Sequence, residues 1–112
     1  MRAPAIVLSA PAALANELAA VAAGCEEEGV PSTTVDGTGS ARELARQAAR
    51  ASSLGIGIGI DSERACLALA AWAGTYLACP VGEARLIGQN AGRIATRRPL
   101  SIGLHPALVR LP

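Results

Sequence analysis

The stretch "GIGIGID" at residues 55–61 decides how this chain folds. Its glycines and isoleucines alternate strictly, as residues do in a β-strand whose neighbouring side chains point to opposite faces. One face of the strand then carries isoleucines 56, 58 and 60, and the other carries only glycines 55, 57 and 59. Because glycine has no side chain, a helix or another subunit can approach that second face closely.

Glycine-rich stretches also bind phosphates, but the spacing here does not fit a nucleotide loop. A dinucleotide fingerprint requires G-x-G-x-x-G at the first strand-to-helix turn. Counted from Gly55 the third required glycine falls at Ile60, and counted from Gly57 it falls at Ser62. A Walker motif requires a lysine, and the sequence contains none. These mismatches argue against a stand-alone Rossmann-like metabolite-binding enzyme, which stays as a third hypothesis.

The segments around this strand alternate between strand and helix patterns. Strands are predicted at 4–9, 30–35, 54–60, 65–72 and 75–81, and helices from Pro11 to Glu28, after the Ser40–Glu43 capping box, and at 82–98. We predict one domain over residues 1–112, a three-layer α/β/α fold with a mostly parallel mixed sheet of about five strands. One strand of the 65–81 hairpin is expected to be reversed. Residues 100–112 are expected to add an edge segment or a tail.

The composition supports a folded core and excludes several classes of protein. Hydrophobic residues make up 51% of the chain and charged residues 17%, which is typical of a globular domain. The net charge of +1 gives no general attraction to nucleic acid. The uncharged run at 65–82 is rich in alanine and is interrupted by Pro80, so it favours a core hairpin over a membrane span.

The cysteines do not form a recognisable disulfide or zinc pattern. Cys25, Cys66 and Cys79 are odd in number and lack C-x-x-C spacing, and His105 is the only histidine. We therefore expect buried, reduced thiols in a cytoplasmic protein. The N-terminal residues faintly imitate a signal peptide, but 4–9 reads better as a buried strand.

Three adjacent carboxylates stand where helices disfavour negative charge. Glu26, Glu27 and Glu28 close the first predicted helix, whose C-terminal end carries partial negative charge. No arginine lies one turn upstream to compensate them. They form either a solvated charged surface or a site that awaits a cation, from a metal or a partner protein. Asp61, at the carboxyl end of its strand, is either an interface residue or part of an Asx-type turn.

Three stretches of the chain, taken in order, resemble a known family. They are "GCEEEGVP" (24–31), "ARQAARASSLGIGIGID" (45–61) and "GQNAGRIATRRPL" (88–100). They are similar to signatures of the small subunit of diol and glycerol dehydratase reactivating factors, and the resemblance runs from about Pro4 to Leu100. The related dehydratase medium subunit is normally longer, so chain length favours the reactivating factor. A short medium subunit of the dehydratase itself is the second hypothesis.

The resemblance implies an accessory subunit without an active site or a cofactor of its own. Its implied partner is a large, actin-like subunit that binds ATP or ADP and hydrolyses ATP. Together they would act as a chaperone for adenosylcobalamin-dependent dehydratases. The small subunit would transiently take the place of the medium subunit on the dehydratase large subunit, so that damaged cobalamin leaves. The expected location is the cytoplasm, with a bacterial microcompartment as an associated site.

The resemblance also implies one metal ligand. In such complexes a glutamate of the E-E-E-G run helps to bind a divalent metal, Mg²⁺, at the interface with the large subunit. By position this residue is Glu27. We expect Glu26, Glu28 and Asp61 to lie at the same partner interface.

Overall fold

The computed structural model describes residues 4–72, 74–101 and 107–110, and these residues form six β-strands and three α-helices. In chain order they are β1 (Ile6–Ala10), α1 (Ala15–Glu27), β2 (Ser32–Asp36), α2 (Ala41–Ala51), β3 (Ile56–Ile60), β4 (Arg64–Leu69), β5 (Leu77–Pro80), α3 (Ala84–Ala95) and β6 (Val109–Arg110). Short 3-10 turns at Ala12–Leu14 and Val81–Glu83 lead into α1 and α3.

The strands form one mixed sheet in the order β2-β1-β3-β4-β5-β6. β1 pairs in parallel with β2 and β3, and each later neighbour pairs antiparallel, so β4 and β6 run against the other four. The predicted α/β fold with a mixed sheet is confirmed. The count of about five strands with one reversed is corrected to six with two reversed, because the C-terminal segment adds β6 at the edge. His105 lies outside the described residues.

The two faces of the sheet are packed differently. Large aliphatic side chains such as Ile58, Leu8 and Leu67 point towards α1 and α3, where they join the main core with Val21 and Ile87. The opposite face meets α2 through small residues, namely Ala41, Ala45, Ala49, Cys66, Ala68 and Ala78. This gives the three layers that the sequence predicts.

The glycine face of β3 is covered by a helix, α2, which is one of the two alternatives that the sequence predicted for it. A methyl group added to Gly57 would overlap the backbone nitrogen of Ala49, and one added to Gly59 would overlap the carbonyl oxygen of Ala41. The α2 backbone therefore rests directly on the strand. The Ser40 hydroxyl accepts a hydrogen bond from the Glu43 amide (3.2 Å), which confirms the predicted start of this helix.

Several predicted boundaries move by one to four residues, among them the C-terminal ends of β4 and α3. The first strand of the 65–81 hairpin ends at Leu69, and Trp72 lies in the following turn with 55% of its surface exposed. α3 ends at Ala95 instead of 98, because Arg97 adopts a left-handed conformation (φ 59°). Gly29, at φ 74°, ends α1 as predicted.

The three thiols are buried and free. Burial raises the pKa of Cys25 and of Cys79 to about 12 and that of Cys66 to about 11, so all three stay protonated at neutral pH. Their burial agrees with the prediction of buried thiols. In the part of the chain that the structure describes, no helix has the length and apolar character needed to cross a bilayer.

Candidate partner interface

Helices α1 and α3 run side by side in the same direction and touch backbone to backbone. A methyl group on Gly24 would overlap the carbonyl oxygen of Arg85, and one on Gly88 would overlap that of Val21. Further along, a methyl group on Gly92 would stand 2.5 Å from the Cβ atom of Glu28. These three glycines let α3 approach closely enough to place its polar side chains beside the acidic end of α1.

Glu27 is held by two side chains of α3. Its Oε1 atom pairs with the guanidinium of Arg85, and its Oε2 atom accepts a hydrogen bond from Nε2 of Gln89 (2.6 Å). The Glu27 side chain is 31% exposed and that of Arg85 is 60% exposed. An ion pair this accessible to water contributes less than about 1 kcal/mol, so its partners can be exchanged at little cost.

Glu28 is more enclosed and has a structural role. Its side chain is only 10% exposed, and its Oε1 atom lies 3.0 Å from Nη2 of Arg98 and 3.7 Å from Nε of Arg93. The same Arg98 nitrogen donates to the backbone carbonyl of Glu28 (2.9 Å). A cation at this position compensates the partial negative charge of the helix end.

The turn after α3 brings Arg98 into this position. The Arg98 amide donates to the carbonyl of Arg93 (2.8 Å), which reverses the chain direction after the helix. Arg97 takes the left-handed conformation that such a turn requires (φ 59°), although it has a side chain. That conformation costs a non-glycine residue about 1 kcal/mol.

The expectation of uncompensated carboxylates is therefore wrong for two of the three residues. Glu27 and Glu28 receive cations from α3 and the turn after it, which lie far along the chain and cannot be found one turn upstream. Glu26 is exposed and forms no ion pair with any described residue. A solvated charged surface therefore describes Glu26, and binding of a cation from a metal or a partner protein stays a prediction for this cluster.

Asp61 lies at the other end of the sheet and is built into the fold. Its Oδ1 atom accepts from the amides of Glu63 (2.8 Å) and Arg64 (2.9 Å), and its Oδ2 atom accepts from the amide of Ala41 (2.9 Å). Asp61 thus closes the β3–β4 turn and provides a hydrogen-bond acceptor for the backbone amide of the first residue of α2. Burial opposes its ionisation, but these hydrogen bonds and the charge of Arg64 outweigh that effect and lower its pKa.

The predicted interface residues therefore do not form one group. Glu26, Glu27 and Glu28 lie beside the N-terminal edge of the sheet, the edge at which β1, β2 and β3 begin, whereas Asp61 follows the C-terminal end of β3. A five-residue strand separates the two edges by roughly 16 Å. The contacts of Asp61 favour the Asx-type turn interpretation, and its place at a partner interface stays a prediction.

Sequence reasoning missed the residues that hold the acidic cluster. Arg85, Gln89 and Arg98 become its partners only because α1 and α3 pack together. One signal of this packing was present, since Gly88 and Gly92 are spaced four residues apart and form a small-residue stripe on one side of α3.

The cluster offers one carboxylate to a metal and not a complete site. In residues 4–72, 74–101 and 107–110, no group of three or more His, Cys, Asp or Glu side chains could hold a metal ion. The Glu27 carboxylate is a hard oxygen donor of the kind that Mg²⁺ prefers. A metal bound through it would take its other ligands from water, a nucleotide or a second chain.

Comparison with known proteins gives a consistent result along most of the chain. Residues 3–101 match the family model described as dehydratase medium subunit. A solved structure named glycerol dehydratase reactivase superposes with a TM-score of 0.81 at 31% identity, over 88% of this chain and 97% of that one. A diol dehydratase-reactivating factor complexed with ADP and Mg²⁺ gives a TM-score of 0.78 at 25% identity, over 88% and 98% of the two chains. No curated protein sequence matches significantly.

Proposed function

Because this chain belongs to the dehydratase medium subunit family, we propose that it is the small, non-catalytic subunit of a dehydratase reactivating factor. The observation that carries the proposal is the match to the glycerol dehydratase reactivase, which covers 97% of that chain at 31% identity. A match over nearly the whole of both chains relates complete domains, not a shared segment. The resemblance of three sequence stretches to reactivating factors points in the same direction.

The proposed partner is a large subunit that binds nucleotide and hydrolyses ATP. The structurally similar diol dehydratase-reactivating factor was solved with ADP and Mg²⁺. In the present chain the glycine-rich stretch forms β3 and is covered by α2, so it has no free backbone amides to cradle a phosphate. ATP and ADP would therefore bind to the large subunit.

The proposed contact with that subunit is Glu27, through a shared Mg²⁺ ion. Its carboxylate is partly exposed and is held by the side chains of Arg85 and Gln89 and not by the backbone. On complex formation these side chains would move aside, and Glu27 would supply one oxygen to the metal. Glu26, which is exposed beside it, would add negative charge at the same contact.

The proposed action is an exchange of subunits on an adenosylcobalamin-dependent diol or glycerol dehydratase. A chain of the same family as the medium subunit has the fold needed to occupy the medium subunit's place on the dehydratase large subunit. Its transient binding there would open the enzyme and release damaged cobalamin. With free thiols, the chain would work in the cytoplasm, including the interior of a bacterial microcompartment.

The direct test combines the purified chain with the large ATPase subunit of a reactivating factor and with a glycerol-inactivated dehydratase. We expect the two proteins to form a complex, and ATP, Mg²⁺ and fresh adenosylcobalamin to restore dehydratase activity only when both are present. The large subunit alone and this chain alone are the controls. Full restoration without this chain would contradict the proposal.

A second candidate is a short medium subunit of the dehydratase itself, since the matching family model carries that description. This candidate predicts a different result when dehydratase turnover is measured. A medium subunit would reconstitute dehydratase turnover when mixed with the other dehydratase subunits and adenosylcobalamin, without any ATPase. A reactivating subunit would give no turnover in that mixture.

A further inference from the structure

A groove crosses the N-terminal edge of the sheet, beyond the acidic end of α1. It consists of two adjoining hollows of about 520 Å³ and 280 Å³ that share Leu69, Ala70 and Ala71 as lining residues. The larger hollow opens against Ile94 and Ala95 of α3. The smaller hollow opens against α2. The groove therefore links the two helical layers of the domain.

The two halves of the groove differ in chemistry. The larger half is lined mainly by apolar residues, among them Leu54, which is 37% exposed. The smaller half is lined by Arg46, Arg50 and Trp72, whose indole is the most exposed large hydrophobic side chain of the described residues at 55%. Arg46 and Arg50 stand one turn apart on the solvent side of α2.

These two arginines differ from those of α3. Arg85, Arg93 and Arg98 each face a carboxylate of α1. Within the described residues, Arg46 and Arg50 have no carboxylate at ion-pair distance and make no side-chain hydrogen bond. Two unpaired guanidinium groups beside an exposed indole complement a segment that presents carboxylates next to an apolar side chain.

From this complementarity we infer that the groove docks an acidic segment of the large ATPase subunit, with an apolar side chain in the Leu54 half and carboxylates on Arg46 and Arg50. The inference rests on the proposed function. The last turns of α3 link the groove to the acidic end of α1, since Ile94 lines the groove while Gly92 and Arg93 contact Glu28, the residue that follows Glu27. A partner that covers Glu27 can therefore continue into the groove along one surface.

Charge reversal tests the role of the two arginines in the smaller half of the groove. Arg46→Glu with Arg50→Glu is expected to weaken binding of the purified large subunit more than about tenfold at low ionic strength, and the loss should shrink as salt is added. The matched control for each single reversal, Arg46→Glu or Arg50→Glu, is Arg64→Glu, which makes the same change of charge on an exposed residue at the opposite edge of the sheet. The control is expected to change the dissociation constant less than about twofold.

A spectroscopic probe at Trp72 tests the same smaller half of the groove without a mutation. Trp72 is the only tryptophan in the chain, so labelling this chain with 5-fluorotryptophan gives one ¹⁹F resonance. We expect that resonance to shift when the unlabelled large subunit binds, since the indole leaves water. The double arginine variant should show a smaller shift at the same concentrations.

The possible outcomes separate this inference from the proposed function. Wild-type complex formation with an unmoved ¹⁹F resonance and an undiminished affinity of the double variant would overturn the groove and leave the function standing. If the wild-type chain forms no complex at all, the proposed function fails and the inference with it. A loss of binding by Arg64→Glu equal to that of the double variant would show long-range charge effects and overturn the specific site.

Discussion

The two ends of this domain use their carboxylates in opposite ways. At one end, Asp61 accepts three backbone hydrogen bonds and joins the β3–β4 turn to the start of α2. At the other end, Glu27 is held only by the side chains of Arg85 and Gln89. Backbone donors cannot leave without breaking the fold, whereas exposed side chains can. A carboxylate held by exposed side chains can change its partners, whereas one held by backbone amides cannot.

The largest loss of stability is expected at the contact between α2 and β3, on the Asp61 end of the comparison. Gly57→Ala puts a methyl group into the backbone of α2 at Ala49, so overpacking should cost about 3 kcal/mol of unfolding free energy. Thermal unfolding should show a midpoint lowered by about 10 °C or more. Gly82→Ala is the matched control, since its added methyl group would meet no atom within 4 Å. Equal midpoints for the two variants would show that α2 does not rest on β3.

Removing the Asp61 carboxylate should have the next largest effect. Asp61→Ala leaves three amides without their acceptor, and we expect a loss of about 1–3 kcal/mol in chemical denaturation. Asp61→Asn retains one acceptor oxygen and should lose less. A stable Asp61→Ala variant would mean that water replaces these bonds, and the contrast with Glu27 would disappear.

The pH dependence of the unfolding free energy tests the structural role of the Asp61 carboxylate in a second way. Because the folded state lowers the pKa of Asp61, its ionisation stabilises the fold above the ordinary aspartate pKa of about 3.9, and this contribution is lost as pH falls through the folded pKa. The difference in unfolding free energy between wild type and Asp61→Asn should therefore be constant near neutral pH. Below about pH 4 it should decrease. A difference that grows on acidification would contradict this account.

Within the acidic cluster, Glu28 should matter more than Glu27 for the stability of the free domain. Glu28→Gln weakens the contacts with Arg93 and Arg98 at a side chain that is 10% exposed, and we expect a cost of about 1 kcal/mol. Glu27→Gln affects a pair accessible to water and should cost less than about 0.5 kcal/mol. Denaturation of both variants side by side checks the order. The reverse order would assign the structural role to Glu27.

Much of the fold could be predicted from the sequence because its signals are local. The alternation of glycine and isoleucine defined β3 and its bare face, and Ser40 and Gly29 marked the ends of helices. The edge segment expected within residues 100–112 is the two-residue strand β6, but its position could not be predicted, because a strand this short has no periodicity and depends on pairing with β5.

The candidate site was less accessible to sequence reasoning because its contacts are not local. The partners of Glu27 and Glu28 come from α3 and the turn after it, and the position of that helix depends on the close approach at Gly24 and Gly88. Likewise, Asp61 reaches back to the amide of Ala41, 20 residues earlier in the chain. A carboxylate's neighbours in space, and not its neighbours in sequence, decided its role in both regions.

The most direct measurement compares the affinity of the large ATPase subunit for wild type and for Glu26→Gln, Glu27→Gln and Glu28→Gln, with Mg²⁺ and ADP and again after chelation of Mg²⁺. If Glu27 shares a metal with the partner, Glu27→Gln should weaken the complex by about tenfold or more with Mg²⁺, because an amide is a poorer ligand for a hard cation. Its two neighbours should weaken it less, and chelation should remove most of the difference between wild type and Glu27→Gln. Equal weakening by all three substitutions, or an unchanged affinity for Glu27→Gln, would contradict the metal contact.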